Sequence, residues 1–122
     1  MRVRLRSALS LILSSVVMLG LSSKSLAQTF NFTSMMPPEF EFCGKKIGLD
    51  SPEYKSLFDW FNNNTTGWYE SRRNYEPELL FEAPTMIVNM TDNKVIVRFA
   101  GAGSAGQLVK AAKTSGFTRL CN

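Results

Sequence analysis

Hydrophobic residues in this chain are concentrated in one uncharged run near the start and follow two different spacings later. The run covers residues 8–21, behind arginines at positions 2, 4 and 6, and Ser25-Leu26-Ala27 follows it. A short apolar run between a basic start and a small-x-small sequence is typical of a secretory signal peptide. We therefore predict cleavage after Ala27. The residue directly after Ala27 is Gln28 and not cysteine, so we expect no lipid anchor, and we predict a soluble protein of the bacterial periplasm.

After the signal, the spacing of apolar residues predicts a strand and then a helix. Residues 28–38 are polar and end in two prolines, which indicates a loose N-terminal arm. The alternation of Glu and Phe over 39–42 predicts a short strand. With Asp50 or Ser51 as the N-cap, apolar residues recur at i, i+3, i+4 and i+7 and predict a helix to about position 62. Its apolar stripe consists of Tyr54, Leu57, Phe58 and Phe61.

The second half of the chain predicts a loop, a strand and a β-hairpin. Asn, Thr and Gly residues over 62–67 are typical of a loop. A strand is predicted over 79–82, and alternation over 85–90 and 94–100 predicts a hairpin with Asp and Asn at its turn. The predicted core positions of the hairpin are Met86, Val88, Met90, Val95, Val97 and Phe99.

The last part of the chain predicts a second helix and a closing strand. Leu108, Ala111 and Ala112 share one side of a helix predicted over 107–114, and a final strand is predicted over 117–121. The resulting order is β-α-β-β-β-α-β. It indicates a small single α+β domain over 39–122, with a mostly antiparallel sheet, two helices and one disulfide.

The predicted cleavage removes the net charge of the chain. The full sequence has 14 basic and 10 acidic residues, and four of the basic ones precede the cleavage site. Ten of each sign remain, so the exported protein is neutral overall. The sequence therefore argues against a nucleic-acid partner and against attraction to an anionic membrane.

Cysteine usage indicates a disulfide. Cys43 and Cys121 are the only two cysteines, and they lie near the two ends of the predicted domain. An even count in an oxidising compartment favours a bond between them. A domain of this size has a marginal core, so we expect the bond to contribute to its stability.

The residue types present speak against catalysis and against a cofactor. The chain has no histidine, which excludes Ser-His-Asp and Cys-His systems and histidine-dependent metal sites. A pair of carboxylates stays open as a catalytic arrangement, but the acidic residues are spaced like ordinary surface charge. Residues 101–106 spell G-x-G-x-x-G without an acidic residue after them, so we predict a flexible connection there. We predict no enzyme, no cofactor and no metal site.

Aromatic and arginine side chains are concentrated around the predicted 62–67 loop. Trp, Tyr and Arg are the residue types enriched in protein-binding hot spots. An alternative is that the domain needs Trp68 and Tyr75 for its core. Trp60 points away from the apolar stripe of the helix. It is therefore either packed by another segment or exposed. The predicted partner-binding residues are Trp60, Trp68, Tyr69, Glu70, Arg72 and Arg73.

The chain resembles a known family of small exported proteins. The likeness is carried by Cys43-Gly44-Lys45-Lys46, by Asp59-Trp60-Phe61, by Thr66-Gly67-Trp68-Tyr69 and by the hairpin strands 86–89 and 95–99. In these features it resembles the periplasmic immunity proteins of type VI secretion systems that neutralise lysozyme-like domains of spike effectors. The resemblance implies an antitoxin that occupies the cleft of a peptidoglycan hydrolase, and it implies a homodimer. The alternative from another class is a stand-alone periplasmic module that binds a small ligand or glycan.

Overall fold

The computed structural model describes residues 29–100 and 106–121. The predicted signal peptide and nearly all of the predicted 101–106 connection lie outside the described residues. The described elements are β1 (Glu39–Phe42), β2 (Lys45–Gly48), α1 (Pro52–Asn62), β3 (Tyr69–Glu70), β4 (Leu79–Glu82), β5 (Met86–Met90), β6 (Lys94–Phe99), β7 (Gln107–Ala111) and α2 (Ser115–Thr118), with 3₁₀ turns at Phe32–Met35 and Arg119–Cys121.

The seven strands form one sheet in the order β2-β1-β4-β5-β6-β7-β3, and every neighbouring pair is antiparallel. Together with the two helices and the cysteine pair, this confirms the predicted α+β class. The predicted strand over 79–82 is confirmed, and so is the hairpin, as β5 and β6. Over the described ranges, no helix has both the length and the apolar character that a membrane crossing requires.

The C-terminal part of the predicted element order is wrong. Residues 107–111 form strand β7 instead of a helix, and 115–118 form a short helix instead of a strand. Strand β7 pairs with β6, where Leu108 lies opposite Val97 and Val109 lies opposite Ile96. Both Leu108 and Val109 are buried, on opposite faces of the sheet, which a one-sided helix does not achieve. Pairing with β6 therefore outweighs the local spacing.

A hairpin between β1 and β2 was not among the predicted elements. Phe42 lies opposite Lys45, so Cys43 and Gly44 alone form the turn. Their φ angles are +53° and +79°. Positive φ at both central residues matches a type I′ turn, the tight turn that suits the twist of paired strands. Cysteine rarely adopts positive φ, and for this reason the sequence did not signal the turn.

Helix α1 forms as predicted and covers one face of the sheet, which we call the core face. Ser51 caps its start, because its side chain accepts a hydrogen bond from the Tyr54 amide. Tyr54, Leu57 and Phe61 are buried against the sheet. Phe58 corrects the predicted stripe: it is 38% exposed and lies at the margin of the buried side.

The described part of the predicted loose arm is packed against the domain. Phe32 is fully buried, and its ring centroid lies 4.6 Å from that of Trp68 and 5.0 Å from that of Phe61. The Tyr54 hydroxyl donates to the Pro37 carbonyl at 2.5 Å, and its burial raises the pKa of Tyr54. The arm thus supplies part of the core, which differs from the prediction.

The predicted disulfide joins Cys43 and Cys121, with 5.5 Å between their Cα atoms and a sequence separation of 78. It links the β1–β2 turn to the 3₁₀ turn that follows α2. Phe117 of α2 packs on the same core face, 6.0 Å from the ring of Phe81. The bond therefore fixes the C-terminal segment over the core face.

Candidate functional site

The second face of the sheet, which we call the outer face, carries a different set of side chains. Because side chains alternate along a strand, the register assigns every second residue to this face. One row across the sheet consists of Glu41, Glu82, Ile87, Arg98 and Gln107, and the next row consists of Leu80, Asn89, Ile96 and Val109. Ile96 and Val109 are buried but do not belong to the main core cluster. A separate segment must therefore cover part of the outer face.

Residues 71–78, which we call the strap, provide that cover. The strap connects β3, at one edge of the sheet, to β4, so it crosses β7, β6 and β5. Four strand spacings amount to about 19 Å, and eight extended residues reach about 26 Å. The segment is therefore long enough to cross these strands, and it contains neither helix nor strand.

Gln107 of β7 holds the first half of the strap. Its side-chain amide donates to the Ser71 carbonyl at 3.0 Å and to the Arg73 carbonyl at 2.8 Å. The Ser71 amide donates to the Gln107 backbone carbonyl at 3.2 Å. Gln107 is only 7% exposed, so few water molecules compete for these bonds.

Asn89 of β5 holds the second half in the same manner. Its side-chain oxygen accepts from the Glu78 amide at 2.9 Å, and its nitrogen donates to the Glu76 carbonyl at 3.0 Å. Asn89 is also 7% exposed. The two buried amides, Asn89 and Gln107, thus satisfy backbone groups of the strap that would otherwise lack partners under the covered surface.

A further contact stiffens the middle of the strap. The hydroxyl groups of Ser71 and Tyr75 lie 3.0 Å apart, and the Arg73 amide donates to the Ser71 hydroxyl at 3.2 Å. The Tyr75 ring is half-buried and faces the sheet. The backbone from 71 to 75 is therefore fixed by bonds to the sheet and within itself.

A pocket of about 230 Å³ lies between the strap and the outer face. Tyr75 and Pro77 of the strap form one wall, and Leu80, Ile87 and Ile96 of the sheet form an apolar floor. The remaining lining residues are polar: Glu82, Asn89, Arg98 and Gln107. Among the described residues no ion pair within 4.0 Å involves Glu82 or Arg98. The pocket thus combines an apolar floor with one negative and one positive side chain.

The two tryptophans of the predicted contact set lie on the core side. Trp68 is fully buried, and its indole nitrogen donates to the Asn64 carbonyl at 2.7 Å. Trp60 is half-buried, with its ring centroid 6.1 Å from Trp68 and 6.5 Å from Phe117. Trp60 is therefore packed by other segments, the first of its two alternatives. Trp68 offers no surface to a partner in this structure, which corrects its place in the predicted contact set.

The other four predicted contact residues are exposed and lie together along one edge of the domain. Tyr69 and Glu70 form the edge strand β3, and Tyr69 is 43% exposed. Arg72 and Arg73 follow directly on the strap and are exposed as well. The structure thus brings these four residues together and separates them from Trp68.

The pocket residues and the two buried amides were not among the predicted site residues. Asn89 interrupts an otherwise apolar strand, and Asn is depleted in strands. This was the available signal at the sequence level. Gln107 gave no such signal, because its segment was interpreted as a helix.

Comparison with protein-family models, with curated proteins and with solved structures gives no significant match to this chain. Within residues 29–100 and 106–121, no group of three or more His, Cys, Asp or Glu side chains is arranged to hold a metal ion.

Proposed function

We propose that this chain is an exported immunity protein that binds a peptidoglycan-hydrolysing type VI secretion effector and inhibits it by occluding its active-site cleft. The proposal rests on one observation above all. The backbone of residues 71–73 is pinned to the sheet by Gln107, while the side chains of Arg72 and Arg73 are exposed. An exposed segment with a fixed backbone is the form in which an inhibitor enters a cleft at a low entropic cost.

The chemistry of the exposed residues suits such a cleft. A hydrolase active site that relies on carboxylates forms an anionic groove, and arginine forms two parallel hydrogen bonds with a carboxylate. Tyr69 adds an exposed aromatic ring beside the arginines, suited to the walls that bind sugar rings. Glu70 can accept a hydrogen bond from a donor in the groove. In this proposal Trp60 and Trp68 do not contact the partner. They pack against each other on the core side and support the edge strand β3.

The test measures hydrolysis by the candidate hydrolase encoded beside this gene, as the loss of turbidity of a peptidoglycan suspension, with and without this protein. Inhibition is the slowing of that loss. The informative variant is the double substitution Arg72→Gln with Arg73→Gln. Truncation of a hot-spot residue costs about 2 kcal/mol or more, so we expect at least about thirtyfold weaker inhibition. The matched control is Lys46→Gln, an exposed positive charge on β2 at the opposite edge of the sheet. We expect it to inhibit as the wild type does.

Two results would contradict the proposal, and they are separable. If the double variant is folded by circular dichroism and inhibits as strongly as the wild type, the proposed surface is wrong. If the wild-type protein neither binds nor inhibits any hydrolase encoded beside it, the function itself is wrong.

A further inference from the structure

The pocket under the strap is a second feature of the outer face, and it is separate from the exposed surface of the strap. Its floor consists of Leu80, Ile87 and Ile96. At about 30 Å³ for each water-sized group, 230 Å³ accommodates on the order of eight such groups. That is below the usual size of pockets for drug-sized ligands, about 300 Å³ or more. A fitting ligand is therefore as small as a single amino acid.

The charges around the pocket restrict the class of ligand. Glu82 lies opposite Ile87 on β5, and Ile87 lies opposite Arg98 on β6. The two charged residues are thus two strands apart, with about 10 Å between their Cα atoms, and Ile87 lies between them. They line the same pocket without forming an ion pair with each other. A ligand above Ile87 meets a carboxylate on one side and a guanidinium on the other.

We propose that this pocket binds a free α-amino acid with an aliphatic side chain. The ligand's carboxylate accepts hydrogen bonds from Arg98, and its ammonium group donates to Glu82. Its aliphatic side chain lies on Ile87 and Ile96. A simple anion would leave Glu82 as a repulsive neighbour, and a simple cation would leave Arg98 as one, so a zwitterion satisfies both groups at once.

The strap gives the site its remaining wall. Tyr75 and Pro77 line the pocket on the side of the strap, and the two buried amides fix the strap in that position. The side chains of Asn89 and Gln107 are bonded to strap backbone, so the charged side chains that line the pocket are those of Glu82 and Arg98. Recognition of a ligand thus falls to Glu82, Arg98 and the apolar floor.

The experiment is an NMR titration of the purified, isotope-labelled protein with three probes of similar shape. L-Leucine carries both charged groups, 4-methylpentanoate lacks the ammonium group, and 3-methylbutylamine lacks the carboxylate. We expect saturable shifts of β4, β5 and β6 amides with L-leucine, with a dissociation constant of about 1 mM or tighter. We expect each half-analogue to bind about tenfold more weakly, because each lacks one charge-assisted contact.

Two substitutions identify which protein residue contacts each charged group of the ligand. Arg98→Gln should weaken binding of L-leucine by about tenfold or more, and it should not weaken binding of 3-methylbutylamine, which loses a repulsive neighbour. Glu82→Gln should weaken binding of L-leucine similarly, and it should not weaken binding of 4-methylpentanoate, which also loses a repulsive neighbour. The matched controls are Lys94→Gln and Glu41→Gln, since both residues lie on the outer face but outside the pocket lining. Both controls should bind L-leucine as the wild type does.

All four residues are on the surface or its margin, so the variants are expected to fold, which circular dichroism verifies. The proposal is overturned if L-leucine causes no saturable shift at the pocket. It is also overturned if L-leucine binds no tighter than the half-analogues, or if folded Arg98→Gln binds it as the wild type does. Because no hydrolase enters this experiment, its outcome is independent of the proposed inhibition.

Discussion

The two faces of the sheet are covered by different kinds of interaction. On the core face, aromatic rings contact each other directly: the rings of Phe42 and Phe81 are 4.0 Å apart, and those of Phe32 and Trp68 are 4.6 Å apart. On the outer face, the strap is held by hydrogen bonds from Asn89 and Gln107. One cover is thus apolar and close-packed, and the other is polar and leaves a pocket.

Because of this difference, the core face determines most of the stability, and the hydrogen bonds of the outer face determine the shape of the candidate site. A fully buried large apolar side chain contributes about 1.5–3 kcal/mol, whereas one hydrogen bond contributes about 1 kcal/mol net. Hydrogen bonds are directional, however, and they specify where the backbone of the strap lies. We therefore expect changes on the core face to unfold the protein and changes on the outer face to alter the strap while the fold persists.

The largest expected effect is that of Trp68→Ala. Trp68 is fully buried and touches Phe32, Phe61 and Trp60. Its truncation leaves a cavity and should lower the free energy of unfolding by about 3–5 kcal/mol, measured by guanidinium unfolding followed by circular dichroism.

The neighbouring residue provides the matched control. Tyr69→Ala removes an aromatic ring that is 43% exposed, and we expect a change within about 1 kcal/mol. If Trp68→Ala and Tyr69→Ala lower the free energy of unfolding equally, the contrast between the two regions is wrong, because the core face would then contribute no more to stability than the edge strand.

The second effect is that of removing the disulfide by Cys43→Ser with Cys121→Ser. The bond closes a loop of 78 residues, for which chain entropy gives about 4.5 kcal/mol as an upper figure. We expect the melting temperature to fall while the amides of the strap keep their chemical shifts. Reducing agent should lower the melting temperature of the wild type only.

Thiol labelling provides the control for the bond itself. The denatured, unreduced wild-type protein should contain no reactive thiol, and two labelled thiols would disprove the bond. A double Ser variant that displaces the strap would show that the disulfide acts on the outer face as well.

The sequence predicted the elements whose signal is local. Strand β4 follows from a short apolar run before Ala83-Pro84, and the β5–β6 hairpin follows from alternation within a few residues. The start of α1 follows from an N-cap at Asp50 or Ser51, of which Ser51 is the observed one. Strand β7 was missed because Leu108, Ala111 and Ala112 fit a helical spacing. What decided its conformation was β6, which offers a free edge for pairing, and no local rule contains that information.

Of the candidate site, only the residues whose type indicates an exposed contact role were predicted from the sequence. Arg72 and Arg73 were identified by residue type and are exposed. The pocket was not predicted, because Glu82 and Arg98 line it from two different strands, and the strap crosses those strands only as a result of the sheet order. Trp68 shows the reverse error: its residue type suggested a contact role, and its position in the fold made it part of the core.

A smaller effect on stability, confined to the outer face, is expected for Asn89→Ala. The substitution leaves the Glu78 amide and the Glu76 carbonyl without their partner, which costs about 1–3 kcal/mol. Hydrogen exchange at the Glu78 amide should accelerate while the amides of β5 and β6 stay protected.

Asn74→Ala is the matched control, since Asn74 is an exposed asparagine of the strap itself. It should change neither the free energy of unfolding by more than about 0.5 kcal/mol nor the exchange at Glu78. Unchanged exchange at Glu78 in folded Asn89→Ala would show that the strap does not depend on this amide.

The smallest expected effect concerns the ion pair at the rim of the core face. Lys45 of β2 donates to Glu53 in the first turn of α1 at 2.7 Å, and this hydrogen bond holds the pKa of Glu53 below its ordinary value. Since the folded-state pKa is the lower one, the pair stabilises the fold above the ordinary pKa of about 4.3 and loses its contribution as the pH falls through the folded value.

Lys45→Met should therefore raise the pKa of Glu53 in an NMR titration of its carboxyl carbon and reduce the loss of stability on acidification. Lys46→Met on the same strand is the control and should leave the Glu53 titration unchanged. If Lys45→Met leaves it unchanged too, the pair has no energetic role, and the stability of the core face rests on apolar packing and the disulfide.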